Sequence, residues 1–176
     1  MVLSLLRKRR SIRKYQPRPI EKEKIETLME VLLRSPSSRS LNPWQFIFVS
    51  DPALLAKLGK SKKHGASFLK NAALAVVLCA DPQQCDVWVE DCSVAATLLQ
   101  LAAEEMGLGS CWVQIRLRRH DEAQSAEAFI KDLLQIPDHL AVASIVGLGY
   151  PNEVKTPHAA EKLQYEKIFS NIYGNR

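Results

Sequence analysis

Apolar residues recur along the chain with helical and strand-like spacing, and the pattern predicts about four strands and five or six helices. From Glu21 to Arg34, apolar residues at intervals of three and four form one face of a helix. Other helices are predicted at 3–10, after Asp51-Pro52, and at 86–106, 123–135 and 161–169. Strands are predicted at 45–50, 72–80, 111–115 and 140–148, and the unbroken apolar run 72–80 indicates a strand buried on both faces. Because two helices come first and no strand-GxGxxG-helix unit follows, the pattern excludes a Rossmann domain.

The longest predicted helix carries a continuous apolar seam. Its members recur at intervals of four and three: Trp88, Cys92, Ala95, Leu99, Ala102 and Met106. Such a seam is typical of a central helix or of a dimer contact. A chain of 176 residues can hardly bury it alone, so we expect a second copy to cover it.

Length and composition indicate one globular unit. The chain has 176 residues, of which 47% are hydrophobic and 24% charged, which predicts a single domain over 1–176 and excludes disorder. The longest apolar run is half of the roughly 18 residues that a membrane span needs, and the N-terminus is basic, so we expect no membrane segment and a cytoplasmic location. The four cysteines form no CxxC pair, so zinc is excluded and buried, reduced thiols are expected.

Positive charge is concentrated at the N-terminus. Seven basic residues precede the first acid, Glu21, and the rest of the chain has 17 basic and 19 acidic residues although the formal net charge is +5. A localised anion is therefore a better partner than nucleic acid. Within the cluster, Arg9-Arg10-Ser11-Ile12-Arg13 suits a phosphate monoester, because guanidinium groups present paired donors. A second acid-free stretch, from Lys57 to Lys70, is interpreted as a solvated helix and loop.

Three further motifs follow in order. Ser35-Pro36-Ser37-Ser38-Arg39-Ser40-Leu41-Asn42-Pro43-Trp44 leads into a strand, Gly107-Leu108-Gly109-Ser110-Cys111-Trp112 follows the long helix, and Gly147-Leu148-Gly149-Tyr150-Pro151 ends a late strand. With the N-terminal segment, these motifs closely resemble the FMN-dependent nitroreductase family over essentially the whole chain. The resemblance implies an α+β fold with a central mixed sheet of about four to five strands flanked by helices, in an intertwined homodimer.

The resemblance also implies which residues hold the cofactor. The N-terminal segment would bind the FMN phosphate and ribityl chain through Arg9, Arg10, Ser11 and Arg13. The partner subunit would supply Pro36, Ser37 and Ser38 along the flavin, and Ser40 is a further cofactor-binding candidate. The strand after the long helix would pass flavin N5 at Val113, Gln114 and Ile115, and the tail would reach the phosphate with Lys155 or His158.

The chain departs from the family pattern at two places. Ser40 and Asn42 stand where the family often has Asn and then Gln, and Gln114-Ile115-Arg116 replaces a Gly-rich turn, where a backbone amide can still serve N5. The chain is also too short for the helical insertion of larger members, so an open pocket and a broad acceptor range are expected. Trp44, Trp88 and Trp112 are interpreted as core or interface aromatics, and His64, His120 and His139 as solvated loop residues. Arg116, Arg118 and Arg119 form either a surface patch or a contact for the phosphates of a nicotinamide donor.

The resemblance implies an NAD(P)H oxidoreductase that reduces nitroaromatic or quinone-like small molecules by ping-pong hydride transfer. The flavin carries the chemistry, so no catalytic side chain is expected, and GxxxxGK[ST], HExxH and GxSxG are indeed absent. Two alternatives stay open. One is an FMN-binding protein of the same fold without efficient turnover, and the other is a nucleic-acid binder that uses the basic residues 7–18.

Overall fold

The computed structural model describes residues 2–175, so both ends of the predicted 1–176 unit, Met1 and Arg176, lie outside the described residues. Five α-helices and four strands are found in this part of the chain. The helices are α1 Val2–Lys8, α2 Lys22–Leu33, α3 Pro52–Leu58, α4 Trp88–Glu105 and α5 Ala126–Leu134. The strands are β1 Trp44–Val49, β2 Leu74–Ala80, β3 Gly109–Gln114 and β4 Ala141–Gly149. Each lies within a few residues of its predicted position.

Local capping explains where two of the helices begin. The Asp51 carboxylate accepts a hydrogen bond from the amide of Leu54 at 2.8 Å, with Pro52 in the first turn of α3. Ser125 caps α5 in the same way, through the amide of Ala128 at 3.0 Å. The helix predicted at 161–169 is wrong, since that segment holds only two short 3₁₀ turns, Ala160–Lys162 and Tyr165–Lys167. Leu163, Tyr165 and Ile168 are exposed, so no packed face supports a longer helix.

The sheet has the order β1-β2-β4-β3, and every neighbouring pair is antiparallel. The four expected strands are present. The expected mixed sheet is wrong, because among the described residues the one parallel pairing is an isolated bridge between Ser11 and Ser110. β2 and β4 form the centre, and every residue of β2 is buried, as its unbroken apolar run predicted.

A separate hydrophobic core covers each face of the sheet. Ala75, Val77 and Cys79 of β2 face the core that includes α3 and α5. Alternate residues of β2, from Leu74 to Ala80, face the second core, against α2 and α4. This arrangement of helices on a sheet confirms the α+β fold class.

The apolar seam of α4 is buried by the chain itself. Cys92, Ala95 and Leu99 are fully buried in the second core, and Trp88, Ala102 and Met106 pack against it. The expectation that a second copy must cover this seam is therefore wrong, because α2 and the sheet already do so. A different stripe of α4 faces outward at helical spacing, with Val94 exposed and Leu98 and Leu101 half-buried.

Several smaller predictions can be compared with the structure. All four cysteines are free and buried, and no group of metal-ligating side chains occurs in residues 2–175. No helix among those residues is both long and apolar enough to cross a membrane. His64 and His139 are exposed as expected. His120 is not solvated, since its side chain is 23% exposed and its ring stacks on Phe129 with centroids 4.1 Å apart.

Candidate cofactor site

The N-terminal segment after α1 crosses the sheet where β3 begins and β4 ends. We call residues 9–15 the strap. The amide of Ile12 donates to the carbonyl of Ser110 at 3.0 Å, and Tyr15 bridges to Pro151. Ile12 and Tyr15 are buried, so two side chains anchor the strap, while Arg13 and Lys14 between them are exposed.

Basic side chains from the strap and the tail converge at this corner. The charges of Arg13, Lys155 and Arg9 all act on the thiol of Cys111, as does a hydrogen bond from Ser11, although burial outweighs them and raises the pKa of that thiol. Lys155 Nζ also donates to the carbonyl of Ser11 at 2.9 Å. We call Arg9, Ser11, Arg13 and Lys155 the basic cluster.

The remaining predicted cations of this corner lie differently. The guanidinium of Arg10 donates to the carbonyl of Thr156, so it ties the strap to the tail. His158 lies exposed three residues beyond Lys155. The structure therefore favours Lys155 over His158 as the tail residue that faces the strap.

Glu153 links the tail to the strap. One oxygen of its carboxylate accepts hydrogen bonds from the amides of Arg13 at 2.6 Å and Lys14 at 3.1 Å, and lies 3.6 Å from Lys155 Nζ. The hydrogen bond from the Arg13 amide is the largest reason why the pKa of Glu153 lies below its usual value. No sequence motif pointed to this residue, because the contact joins positions 140 residues apart.

The outer edge of β3 leads away from the basic cluster. The carbonyls of Ser110 and Gln114 point outward, to Ile12 and to Lys62 Nζ at 3.0 Å respectively. Because the N–H and C=O of one strand residue point to the same side, the amides of Trp112 and Gln114 face this edge as well. Val113 and Ile115 are fully buried in the core, so Gln114 is the predicted residue of this segment that reaches the edge.

A cleft of about 910 Å³ is lined by Lys62, the residue whose ammonium bonds to the carbonyl of Gln114. Residues 59–67 form one wall and residues 119–123 the other, and His120 Nδ1 lies 3.3 Å from the carbonyl of Ser61 between them. The acid-free stretch interpreted as solvated is therefore partly a cleft wall. No motif in the sequence pointed to Lys62 as a site residue, although the absence of acidic residues near it in the sequence was a signal of an anion site. Burial is the first cause that lowers the pKa of Lys62, followed by the charge of Arg118.

The loop that carries Pro36, Ser37, Ser38 and Ser40 lies at the far corner of the sheet. The amide of Ser38 bonds to Asp91 in the first turn of α4, whereas Lys8, beside the strap, pairs with Glu104 near its end. At 1.5 Å per residue, these two points of α4 are about 20 Å apart. One subunit therefore does not bring this loop to its own basic cluster.

The donors present fit a molecule with a phosphate at one end and a polar heterocycle at the other. The basic cluster supplies charged donors for a phosphate, as a phosphate monoester requires. Further along β3 come the outward-facing amides and the Lys62 ammonium. These groups can donate hydrogen bonds to ring nitrogens and oxygens. At about 3.3 Å per residue, Ser110 and Gln114 are about 13 Å apart, so one extended ligand can span both groups.

The fold and site define an α+β protein whose N-terminal strap presents a cluster of basic side chains at the edge of an antiparallel sheet. The Nitroreductase family model matches residues 6–88 and 60–150. The chain belongs to the nitroreductase family, and it is an oxidoreductase of that family, which confirms the prediction from the motifs.

Individual relatives agree with this assignment. An FMN-dependent nitroreductase structure from Clostridium difficile superposes with a TM-score of 0.96 at 42% identity, covering 97% of this chain and 99% of that one. A protein of Archaeoglobus fulgidus with the provisional name NADH dehydrogenase/NAD(P)H nitroreductase is 38% identical over 90% of both chains. The NADPH:FMN oxidoreductase of Vibrio harveyi, solved with NAD⁺, has a TM-score of 0.77 at 25% identity, covering 97% of this chain and 79% of that one.

Proposed function

We propose that this protein is an FMN-dependent NAD(P)H oxidoreductase that reduces nitroaromatic or quinone-like acceptors, as one domain in the cytoplasm. The observation that carries the proposal is the basic cluster at the start of β3, followed by a free strand edge that ends at Gln114 and Lys62. The names of the relatives supply the cofactor, FMN, and the donor, NADH or NADPH.

The chain's own residues bind and orient the cofactor. Arg9, Arg13 and Lys155 would neutralise the phosphate, and Ser11 would add a short neutral donor. The amide of Gln114 would donate to the edge of the ring, and the Lys62 ammonium would favour negative charge there. When bound, FMN supplies hydride transfer between the nicotinamide donor and the acceptor, so no side chain has to carry the chemistry.

A homodimer follows from the position of the loop 36–40. Because that loop lies about 20 Å along α4 from the strap of its own subunit, it can complete a flavin site only in a second copy. The exposed apolar side chains of the tail, Leu163, Tyr165, Ile168, Ile172 and Tyr173, support a further contact with that copy.

Two measurements test the function. We expect the purified protein to be yellow, to release FMN on denaturation, and to oxidise NADH or NADPH when nitrofurazone or menadione is added. Flavin binding without turnover would favour the alternative of a non-catalytic FMN protein. Salt-sensitive binding to nucleic acid with no flavin would favour the other alternative.

A panel of acceptors tests the substrate class. The cleft lined by Lys62 is open, and its walls carry mainly solvated charges. A wrong substrate would therefore leave few buried donors unpaired. We therefore expect rates to follow the redox potential of planar nitro compounds and quinones. Parallel double-reciprocal lines would support the ping-pong order. A strong preference for one compound, unrelated to potential, would show instead that the loop 116–124 selects the acceptor.

A further inference from the structure

A buried carboxylate at the start of α4 is bonded to the loop 36–42. Asp91 is 5% exposed, and its Oδ1 accepts a hydrogen bond from the amide of Ser38 at 2.8 Å. Its Oδ2 lies 3.3 Å from the thiol of the buried Cys85. Asp91 belongs to the first turn of α4, where the helix end favours negative charge. Neither of these two contacts joins the carboxylate to the strap or to the outer edge of β3.

The loop has a backbone shape that its sequence does not favour. Arg39, Ser40 and Asn42 have φ angles of 53°, 54° and 49°. The left-handed region is costly for residues with a Cβ, so such a conformation persists only where surrounding contacts impose it. Inside the loop, Ser37 Oγ donates to Asn42 Oδ1 at 2.7 Å and accepts from the Asn42 amide at 2.9 Å, so the loop supports Asn42 itself. The conformation of Arg39 and Ser40 needs an external cause.

The segment 84–91 supplies that cause. Besides the bond from Ser38 to Asp91, Gln84 Nε2 donates to the carbonyl of Leu41 at 2.7 Å, and Arg39 forms an ion pair with Asp86. The last two contacts are exposed, whereas Asp91 is buried. A buried hydrogen bond to a charged group contributes more than an exposed one, so Asp91 is the strongest of these ties.

We propose that Asp91 is a positioning residue for the cofactor, which fixes the loop 36–42 through the Ser38 amide and so completes the FMN site of the partner subunit. This inference rests on the proposed function, because it assumes that FMN binds. The proposal also says which subunit is affected. Asp91 of one subunit positions the loop that completes the FMN site at the basic cluster of the other subunit.

Single variants test the first half of the proposal. We expect Asp91→Ala to weaken FMN binding about tenfold to a hundredfold in fluorescence titrations of the full-length protein, because the Ser38 amide loses a charged acceptor. Asp91→Asn keeps an oxygen for that amide and should bind FMN more tightly than Asp91→Ala. The control is Glu90→Ala, an exposed acid in the same helical turn, which should stay within about twofold of wild type. If Asp91→Ala does not fold, Asp91→Leu, which fills the space without accepting a hydrogen bond, takes its place.

Subunit complementation tests the direction. A heterodimer of an Asp91→Ala subunit and an Arg13→Ala subunit, purified through two different tags, has one site with both defects and one with neither. We therefore expect about half of its sites to bind FMN with wild-type affinity, whereas each homodimer binds weakly. If Asp91 acted on the cluster of its own subunit, the heterodimer would have no intact site.

The outcomes separate this inference from the proposed function. Wild-type protein that binds no FMN contradicts the proposed function. If wild type binds FMN, three results overturn the role of Asp91: unchanged FMN affinity in Asp91→Ala or Asp91→Leu, an equal loss in Glu90→Ala, or a heterodimer without tight sites. A lower melting temperature of the apoprotein with unchanged FMN affinity would likewise show a purely structural role.

Discussion

A Cβ atom added to Gly109 would lie 2.8 Å from the Cβ of Ile12, closer than real Cβ contacts allow. A Cβ on Gly149 would lie 3.0 Å from the ring of Tyr15. These two glycines let the strap lie directly against the ends of β3 and β4, with Ile12 and Tyr15 buried. Gly109 and Gly149 therefore act by leaving room for the segment that presents the arginines.

Gly109→Ala should push the strap away from the sheet. We expect a loss of about 1–3 kcal/mol in the free energy of unfolding, from overpacking against Ile12, together with weaker FMN binding. Denaturant unfolding and FMN titration measure the two effects. Gly107→Ala is the control, since its Cβ meets nothing within 4 Å although φ is +75°. It should lose about 1 kcal/mol of stability through its backbone alone and leave FMN affinity unchanged. Equal FMN affinity in both variants would contradict this role of Gly109.

Arg13→Ala should weaken FMN binding about tenfold to a hundredfold, because it removes a charge-assisted contact worth roughly 1.5–3 kcal/mol. Isothermal titration with FMN gives the affinity. Lys14→Ala removes a charge one residue further along the strap, from a side chain that is exposed and does not belong to the basic cluster. It should therefore bind FMN nearly as well as wild type. A titration in which Arg13→Ala also binds like wild type would remove Arg13 from the phosphate site.

Glu153 should make the attachment of the tail to the strap sensitive to acid. Its pKa is lowered in the folded state, so the stability it contributes is fully present above its ordinary pKa near 4.5 and is lost as the pH falls through the folded-state pKa. We expect thermal unfolding to show this loss below about pH 4.5 in wild type and less of it in Glu153→Gln. Glu161→Gln, in the exposed tail, is the matched control. An identical pH dependence in Glu153→Gln and wild type would argue against the contact.

Charges on the two sides of α4 should have different effects. Leu99 is fully buried in the core beneath the sheet, so Leu99→Asp should unfold the protein, as an unpaired buried charge costs several kcal/mol. Val94 is 41% exposed on the outward stripe. Val94→Asp should therefore keep its circular dichroism spectrum but shift the proposed homodimer towards monomer in light scattering. A dimer of unchanged stability in Val94→Asp would exclude this stripe from the interface.

Local sequence determined most of the secondary structure. Apolar spacing and the helix-start signal at Asp51-Pro52 placed all four strands and five helices near their positions in the structure. The spacing is informative because most of these elements must bury one face. The helix predicted at 161–169 was wrong, because the spacing of apolar residues cannot show whether the fold offers a surface for them to pack against. The cluster Arg9 to Arg13 could be predicted as a phosphate-binding candidate because its donors are adjacent in the chain.

Tertiary structure decided what covers each face and which distant residues meet. The seam from Trp88 to Met106 would have the same apolar spacing if a second subunit buried it or if the chain's own sheet did. In the structure it packs on the chain's own sheet. The strand order decided that Lys62 reaches the carbonyl of Gln114 across 52 positions. It also placed the loop 36–40 at the corner opposite the strap. Such pairings depend on how strands register with one another, and the spacing of residues within a single strand carries no record of its neighbour.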